Sequence, residues 1–312
     1  MTKKSKVYLI VAIALVTTFI VLIMSNSQNN NKLPKLAITQ LPQAGSGGNI
    51  SELKLATELP IVPEKLMVYK VKKPNLTVEK VRERARKLGI KGAVKESAID
   101  LRVRSDKGEY IIDKATGNES FMTKEFALQH EPVTTVLSDE EYKNLASQFL
   151  HKAGLMKDKA VFVDVNKGNT VTAIDENGVE RTKPHMIEVR FGRENLNNLA
   201  VRGVGPKISV YFGDKGQIIG TKSVWPEVEP YLKYPVITPA QGIELVQKND
   251  AVLFNVNHND VVTVEEIKLV YLVGPLGSNQ EFIIPYYEMI GTTTAGKHFT
   301  ALTRAIAREY IQ

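Results

Sequence analysis

An uncharged run of eighteen residues near the start of the chain, Val7 to Met24, constrains the fold more than any other feature. As a helix rising about 1.5 Å per residue, this run is about 27 Å long, which matches the hydrocarbon core of a bilayer. Three lysines precede it, and a cationic flank stays on the cytoplasmic side of a membrane. The sequence therefore predicts a cytoplasmic tip and a transmembrane anchor within residues 1–24, with the rest of the chain outside the cell membrane.

A cleaved signal peptide is the alternative interpretation of this run. Ser25 and Ser27 stand in the small-x-small arrangement that a signal peptidase accepts. The apolar region of a signal peptide is usually about 7 to 15 residues long, so the greater length of this run favours an uncleaved anchor. Residues 25–66 follow, rich in Gly, Pro, Asn and Ser and without helical or strand periodicity. This composition is typical of an extracytoplasmic tether.

Composition excludes several classes of protein. The chain has no cysteine, which excludes disulfide scaffolds, thiolate metal sites and a cysteine nucleophile. The formal net charge is +7, and three of the positive charges belong to the lysines before the apolar run, so 7 − 3 = +4 remains for the other residues. That charge is too small to indicate nucleic-acid binding. The five histidines are scattered without a close-spaced ligand pair, so we predict no metal and no cofactor.

Three later segments carry the signals of amphipathic helices. Each begins at a hydroxyl residue that can cap the first turn, namely Thr77, Ser138 and Thr238. Ser138 is followed three residues later by Glu141, which predicts a capping box. Thr238 is followed by Pro239, and proline is favoured in the first helical position. Apolar residues then recur at helical spacing, so we predict one helix after each cap.

Alternating apolar residues and short glycine turns follow each predicted helix. Ala98 to Ser105 precedes a turn at residues 106–108, and further turns are predicted at Asn166 to Gly168 and at Asp214 to Gly216. Because such short turns join antiparallel neighbours, each helix is expected to pack on a curved antiparallel sheet. The predicted fold class is therefore α+β, built as tandem modules after an N-terminal transmembrane helix.

Residues Tyr110 to Gly117 read Tyr-Ile-Ile-Asp-x-x-Thr-Gly and follow a helix and a strand. This unit resembles the PepSY domain. Val210 to Gly220 resembles a second copy, and Ile267 to Gly291 resembles the final hairpin of such a module. An anchor followed by these modules is similar in layout to the YycH and YycI family, the single-pass accessory proteins that regulate the cell-wall-sensing histidine kinase of Gram-positive bacteria.

The resemblance implies a non-catalytic regulatory or binding protein outside the membrane, and it brings no catalytic residues. The implied partner is a membrane or cell-wall protein such as a sensor kinase, a protease or a wall hydrolase. We expect a first PepSY-like module over residues 67–135. The second and third modules are expected to form a larger domain over residues 136–312.

A cell-wall hydrolase that uses carboxylates assembled by the fold is the alternative function. Glycan-cleaving enzymes use a pair of carboxyl groups, and Asp139, Glu140 and Glu141 crowd together in this sequence. They lie at the start of a predicted helix, where acidic residues complement the helix dipole, so capping explains them without catalysis.

Aromatic residues beside prolines are the candidate partner contacts, because rigid aromatic side chains are good interface anchors. Three of them lie in a predicted connector between the second and third modules, where packing between domains is the alternative to partner contact. Two of them are adjacent in a predicted strand and must point to opposite faces, so we expect one in the core and one exposed. The candidate contact residues are Trp225, Tyr231, Tyr234, Tyr286 and Tyr287.

Overall fold

The computed structural model describes residues 33–38, 48–128, 132–174, 180–203, 205–274, 278 and 280–312. The predicted anchor at Val7 to Met24 lies outside these ranges. Among the residues described, no helix is long and apolar enough to cross a membrane. The chain divides into two compact units, residues 1–35 and 36–312, and all elements given below belong to the second unit.

Eight of the described strands form one antiparallel sheet, called the large sheet below. In spatial order, and numbered by chain order, they are β3 (Val94–Glu96), β4 (Asp100–Ser105), β5 (Gly108–Asp113), β6 (Glu119–Thr123), β11 (Ile218–Val224), β10 (Lys207–Phe212), β8 (Glu180–Arg193) and β7 (Ala160–Ile174).

Two helices, α1 (Val78–Lys87) and α3 (Asp139–Ala153), pack on one face of the large sheet. The α3 core contains Tyr142, Ala146 and Leu150, and the α1 core contains Val81 and Ala85. A short helix, α2 (Lys124–Leu128), packs on the opposite face, where the Phe126 ring meets the Tyr211 ring edge-on at 5.3 Å. The large sheet thus has a main core on the α1 and α3 side.

The predicted helix caps are confirmed. The Thr77 side chain accepts a hydrogen bond from the Lys80 backbone N–H, and Ser138 and Glu141 form a reciprocal capping box. Thr238 forms a second capping box with Gln241 at the start of α4 (Pro239–Gln247). These bonds satisfy backbone donors that a helix leaves unpaired at its first turn, which is why short-range sequence signals located all three helices correctly.

A second sheet, called the mixed sheet, packs against α4. Its strands in spatial order are β1 (Ile50–Leu55), β14 (Asp260–Val273), β16 (Pro285–Thr293), β17 (His298–Arg304) and β13 (Val252–Phe254), with β9 (Ala200–Gly203) also paired to β14. Both β1 and β9 run parallel to β14. The prediction of purely antiparallel sheets is therefore wrong here, because long connections rather than tight turns join these strands to β14.

Three further strands form a small sheet in the order β12 (Val228–Pro235), β2 (Lys65–Val71) and β15 (Phe282–Ile283). The Tyr271 hydroxyl of β14 donates a hydrogen bond to the Met67 carbonyl of β2 at 2.7 Å. The ring of Tyr271 also meets the Tyr69 ring edge-on at 5.2 Å. These contacts fix the small sheet to the end of the mixed sheet.

The predicted module boundaries do not match the sheets. Ile50–Leu55, expected to lie in the tether, forms β1 of the mixed sheet, and Ile50 is buried. Strand β6 of the predicted first module pairs with β11 of the predicted second module, so the two share one sheet. The hydrogen bonds between β1 and β14 thus place part of the predicted tether inside the folded domain, although its composition is typical of a linker.

One predicted turn is also wrong. Asn166 to Gly168 lies inside the long strand β7, where the pairing with β8 shifts between Asn166 and Asn169. The Asn166 side chain accepts a hydrogen bond from the Gly168 backbone N–H at 2.9 Å. The residues that indicate a turn here form a bulge instead. The turn predicted at Asp214 to Gly216 is confirmed as one turn of 3₁₀-helix between β10 and β11.

Candidate functional site

Four of the five aromatic residues predicted to contact a partner are buried. Trp225 is 5% exposed, Tyr286 is 8% exposed, and Tyr234 and Tyr287 are fully buried. Only Tyr231 is half-buried, and its ring lies 5.1 Å from that of Phe282. The expectation of an exposed ring is therefore wrong for Tyr286, whereas Tyr287 is the one of the two adjacent tyrosines that was expected in the core. Trp225 and Tyr234 are buried, as the packing alternative for their segment requires.

The physical reason is that β16 is covered on both faces. Tyr287 lies in the α4 core, and its hydroxyl donates a hydrogen bond to the Ile237 carbonyl at 2.6 Å. Tyr286 and Glu288 point to the opposite face and are also buried. Burial raises the pKa of Tyr286 to about 12. Strand alternation correctly separates the two tyrosines, but it does not reveal that both faces carry packed neighbours.

A cleft of about 870 Å³ opens where the three sheets meet. The large sheet contributes the turn between β5 and β6 and the end of β11, the small sheet contributes the ends of β2 and β12, and the mixed sheet contributes the end of β14. Pockets that hold ligands in proteins have volumes of about 300 to 1,000 Å³. We call this feature the lysine cleft, because Lys70, Lys72, Lys73 and Lys114 line it.

The Tyr110 to Gly117 motif forms one wall of the lysine cleft. An Asp113 carboxylate oxygen accepts hydrogen bonds from the backbone N–H groups of Ala115 and Thr116, at 3.0 and 2.7 Å, and from the Thr116 hydroxyl at 2.7 Å. Gly117 adopts a left-handed φ of 72° that favours glycine. The end of the motif is therefore a turn stabilised by hydrogen bonds to the Asp113 side chain, and this turn holds Lys114 and Thr116 at the cleft.

The connector predicted around Trp225 forms the floor of the same cleft. The Asn118 side-chain oxygen accepts the Trp225 backbone N–H at 3.2 Å. The Arg193 guanidinium lies 4.6 Å from the centre of the Trp225 ring and donates a hydrogen bond to the Pro226 carbonyl at 2.7 Å. Burial lowers the pKa of Arg193 below its usual value. The structure thus brings together two sequence features that lie about a hundred residues apart, and the neighbours of Trp225, Val224 and Pro226, line the cleft.

Two of the four lysines are paired with carboxylates. Lys114 donates to Glu96 at 2.6 Å, and Lys72 lies 3.5 Å from Glu229. Among the described residues, no carboxylate oxygen lies within 4.0 Å of the ammonium group of Lys70 or Lys73.

The lining of the cleft is therefore positively charged. Glu229 and Glu281 also line it, so the charge of the lining is 4 − 2 = +2. The run Lys70 to Pro74 is the sequence signal for this site, but lysines in a run do not distinguish a solvated surface from a cleft, so the sequence alone did not predict it.

The buried carboxylates outside the cleft are already neutralised by cations. Glu119 accepts from Arg84 at 2.9 Å, from Lys157 at 2.6 Å and from the Tyr110 hydroxyl at 2.5 Å. Burial acts to raise the pKa of Glu119, but the charges of Lys157 and Arg84 outweigh burial and hold it below its usual value. A carboxyl group with a lowered pKa is ionised near neutral pH and is unsuited to donate a proton as a general acid. In the part of the chain that the structure describes, no group of three His, Cys, Asp or Glu side chains could hold a metal ion.

No protein-family model matches the chain. No curated protein matches it. Among solved structures, it is similar to an uncharacterized protein from Eubacterium rectale ATCC 33656, with 10% sequence identity, a TM-score of 0.40, and coverage of 82% of this chain and 89% of that one. It is also similar to YycH from Bacillus subtilis, with 12% identity, a TM-score of 0.39 and coverage of 77% of this chain. The matched region spans 52% of the length of YycH.

Proposed function

We propose that this protein is a non-catalytic extracytoplasmic regulatory protein that binds a protein partner at the lysine cleft. The partner class is a membrane or cell-wall protein such as a sensor kinase, a protease or a wall hydrolase. The observation that carries the proposal is the pair of ammonium groups, Lys70 and Lys73, beside a cleft of about 870 Å³ without a carboxylate partner among the described residues. An uncompensated charge in a concave site favours binding a group of opposite charge.

The predicted membrane anchor would make it easier for such a protein to encounter a partner in the same membrane. An anchor in the membrane restricts the search for a membrane partner to two dimensions and raises the effective concentration of the two proteins.

The hydrolase alternative needs a carboxyl group that stays protonated near neutral pH to act as an acid. Glu119, the most deeply buried ionised group near the centre of the large sheet, has the opposite pKa shift and two cationic partners. The lysine cleft contains two carboxylates, and one of these, Glu229, is paired with Lys72. These features support binding rather than glycan hydrolysis.

Site-specific photo-crosslinking in intact source cells tests the proposal. Ala115→p-benzoylphenylalanine places the crosslinker at the exposed turn that lines the lysine cleft. Ala295→p-benzoylphenylalanine is the matched control, since it is also an exposed alanine in a hairpin turn. It lies beyond the opposite end of β16, about 30 Å along the nine-residue strand from the end that joins β15.

The expected result is a defined protein adduct from position 115 that is absent at position 295. The same set of adducts at both positions, or recovery of wall glycan without protein, overturns the proposal. In the second case, release of soluble wall fragments by the full-length protein would be measured next, because that activity is what the hydrolase alternative requires.

A further inference from the structure

We infer that the lysine cleft recognises an extended acidic segment of a partner protein, one in which carboxylate and apolar side chains are both present. This inference rests on the proposed function and names the chemistry of the partner at the same site. Its basis is the combination, within one cleft, of two ammonium groups that have no carboxylate partner among the described residues, a floor bonded to the Asn118 side chain, and an apolar lining.

The charge of the cleft selects an anionic group. Lys70 lies on β2 and Lys73 two residues beyond its end, while Lys72 between them is directed to Glu229 at 3.5 Å. Lys114 on the facing turn is directed to Glu96. An entering carboxylate can therefore pair with Lys70 or Lys73 without breaking any ion pair between described residues, and this pairing gains more in a partly enclosed cleft than on an open surface.

The hydrogen-bond donors that line the lysine cleft favour a carboxylate ligand over a phosphate ligand. Phosphate sites in proteins commonly use backbone N–H groups in turns or the planar fork of arginine. In this cleft the N–H groups of Ala115, Thr116 and Gly117 are already bonded to Asp113, and no arginine is among the lining residues described. What remains in the described lining is the lysine ammonium group, which donates as a point charge and lacks the additional, fixed donors that hold the several oxygens of a phosphate group.

The two carboxylates of the cleft also favour a ligand with separated negative charges over a polyanion. Glu229 and Glu281 stand among the lysines, and they repel a polyanion more strongly than a segment in which acidic and neutral groups alternate.

The apolar part of the lining favours a peptide over a polyol. Val71, Pro74, Val224, Pro226 and Val273 line the cleft together with the lysines. Apolar surface contributes to binding only when the ligand brings apolar groups to cover it. A wall polymer of sugar or glycerol units linked by phosphate has few such groups, whereas a peptide with alternating glutamate and valine has both kinds.

Trp225, which packs in the α3 core beside the cleft, provides a fluorescence readout of binding through its neighbours. It is the only tryptophan in the chain, and its neighbours Val224 and Pro226 line the cleft. The full-length protein in detergent micelles would be titrated with a hexapeptide of alternating Glu and Val, with the matched Gln and Val hexapeptide, and with inorganic phosphate and a glycerol phosphate oligomer. The expected result is a saturable change of Trp225 emission with the Glu peptide, weakened by added salt, and no change with the other three probes.

Lysine variants test which residues are responsible. Lys70→Gln combined with Lys73→Gln is expected to lower the affinity for the Glu peptide about tenfold. Lys248→Gln combined with Lys297→Gln removes the same charge from two exposed positions away from the cleft and is expected to leave the affinity unchanged. Ala115→Glu, which adds a carboxylate to the turn, is a second variant that is expected to weaken binding without removing a lysine.

Four outcomes overturn the inference: no binding of the Glu peptide, equal binding of the Glu and Gln peptides, binding of phosphate or the glycerol phosphate oligomer in preference to the Glu peptide, or unchanged affinity in the Lys70 and Lys73 variant. Its failure is distinguishable from failure of the proposed function. If the crosslinker at position 115 captures a protein but the Glu peptide does not bind, the acidic segment is wrong and the partner-binding function stands. If the peptide binds but no protein is captured, the proposed function is wrong and the ligand chemistry of the cleft stands.

Discussion

The Lys157 ammonium lies 2.6 Å from the Glu119 carboxylate, and this ion pair joins the segment after α3 to strand β6 in the middle of the large sheet. Arg84 of α1 reaches the other oxygen of the same carboxylate at 2.9 Å. Glu119 is therefore a buried junction between α1, the segment that follows α3, and the strands beneath them.

Replacing Glu119 is expected to destabilise the fold. Glu119→Gln leaves Arg84 and Lys157 without a counter-charge, and breaking a buried ion pair costs about 3 kcal/mol. The measurement is urea unfolding of the full-length protein, read as a lower midpoint with an unchanged slope. Glu83→Gln is the control, because Glu83 forms an exposed pair with Lys87 at 3.0 Å that should contribute less than about 0.5 kcal/mol. Equal losses in the two variants would contradict a special role for Glu119.

Acid is expected to weaken the same junction. The pKa of Glu119 is lowered in the folded protein, so between the folded and unfolded pKa values the unfolded chain binds more protons. Stability from this group is fully present above about pH 4.5, the ordinary value for Glu, and is lost as the pH falls through the folded pKa. Urea midpoints between pH 3 and 6 should fall with acid in the unmodified protein, and Glu119→Gln should remove part of that slope. A slope that persists unchanged in the variant would assign the acid sensitivity to other carboxylates.

The turn that forms the cleft wall is expected to depend on Asp113. Asp113→Ala removes the acceptor of three hydrogen bonds, so we expect a loss of about 1 to 2 kcal/mol together with weaker binding of the acidic peptide. Asp106→Ala, at the exposed turn between β4 and β5, is the matched control and should change neither quantity. If Asp113→Ala lowers stability but leaves peptide affinity intact, the shape of the turn is not part of the recognition.

The floor of the cleft is expected to need arginine at position 193. Arg193→Lys keeps a positive charge but loses the planar contact with Trp225. We expect a shift of the Trp225 emission maximum to longer wavelength, because the ring becomes more exposed to water. Arg82→Lys, on the outer part of α1, should leave the spectrum unchanged. An unaltered spectrum in Arg193→Lys would show that the neighbouring apolar groups alone hold the ring.

The correction to the tether gives a further prediction. Ile50 is 4% exposed and packs in the mixed-sheet core, so Ile50→Ala should cost about 2 to 4 kcal/mol. Leu55 at the other end of β1 is 46% exposed, and Leu55→Ala should change stability by less than about 0.5 kcal/mol. If residues 50–55 were a free tether, both variants would be neutral in thermal unfolding.

The parts of the fold that the sequence predicted are those determined by neighbouring residues. The helix starts at Thr77, Ser138 and Thr238 depend on a side chain that bonds a backbone N–H three residues away, and that spacing is visible in the sequence. The turn at Asp214 to Gly216 is similarly local. Predictions of such features depend little on the rest of the chain, because the bonds that form them are local.

The features that the sequence did not predict depend on residues far apart. The pairing of β6 with β11 joins two predicted modules, and nothing in either strand alone specifies its neighbour. The burial of Tyr286 depends on side chains from other elements that cover the second face of β16. The candidate site has the same origin, since the turn of Asp113 and the connector of Trp225 meet only after the sheets have assembled.

The parallel pairing of β1 with β14 also means that, during synthesis, β1 is made well before the strand with which it pairs. Ile50 stands opposite Asp260 in that ladder, so the two partners are 260 − 50 = 210 residues apart. At about 5 to 20 residues per second, a ribosome needs about 10 to 40 s to make the chain between them. For that interval the backbone N–H and C=O groups of β1 have no partner strand, and this edge is open to pairing with other chains until the residues from Asp260 onward are made.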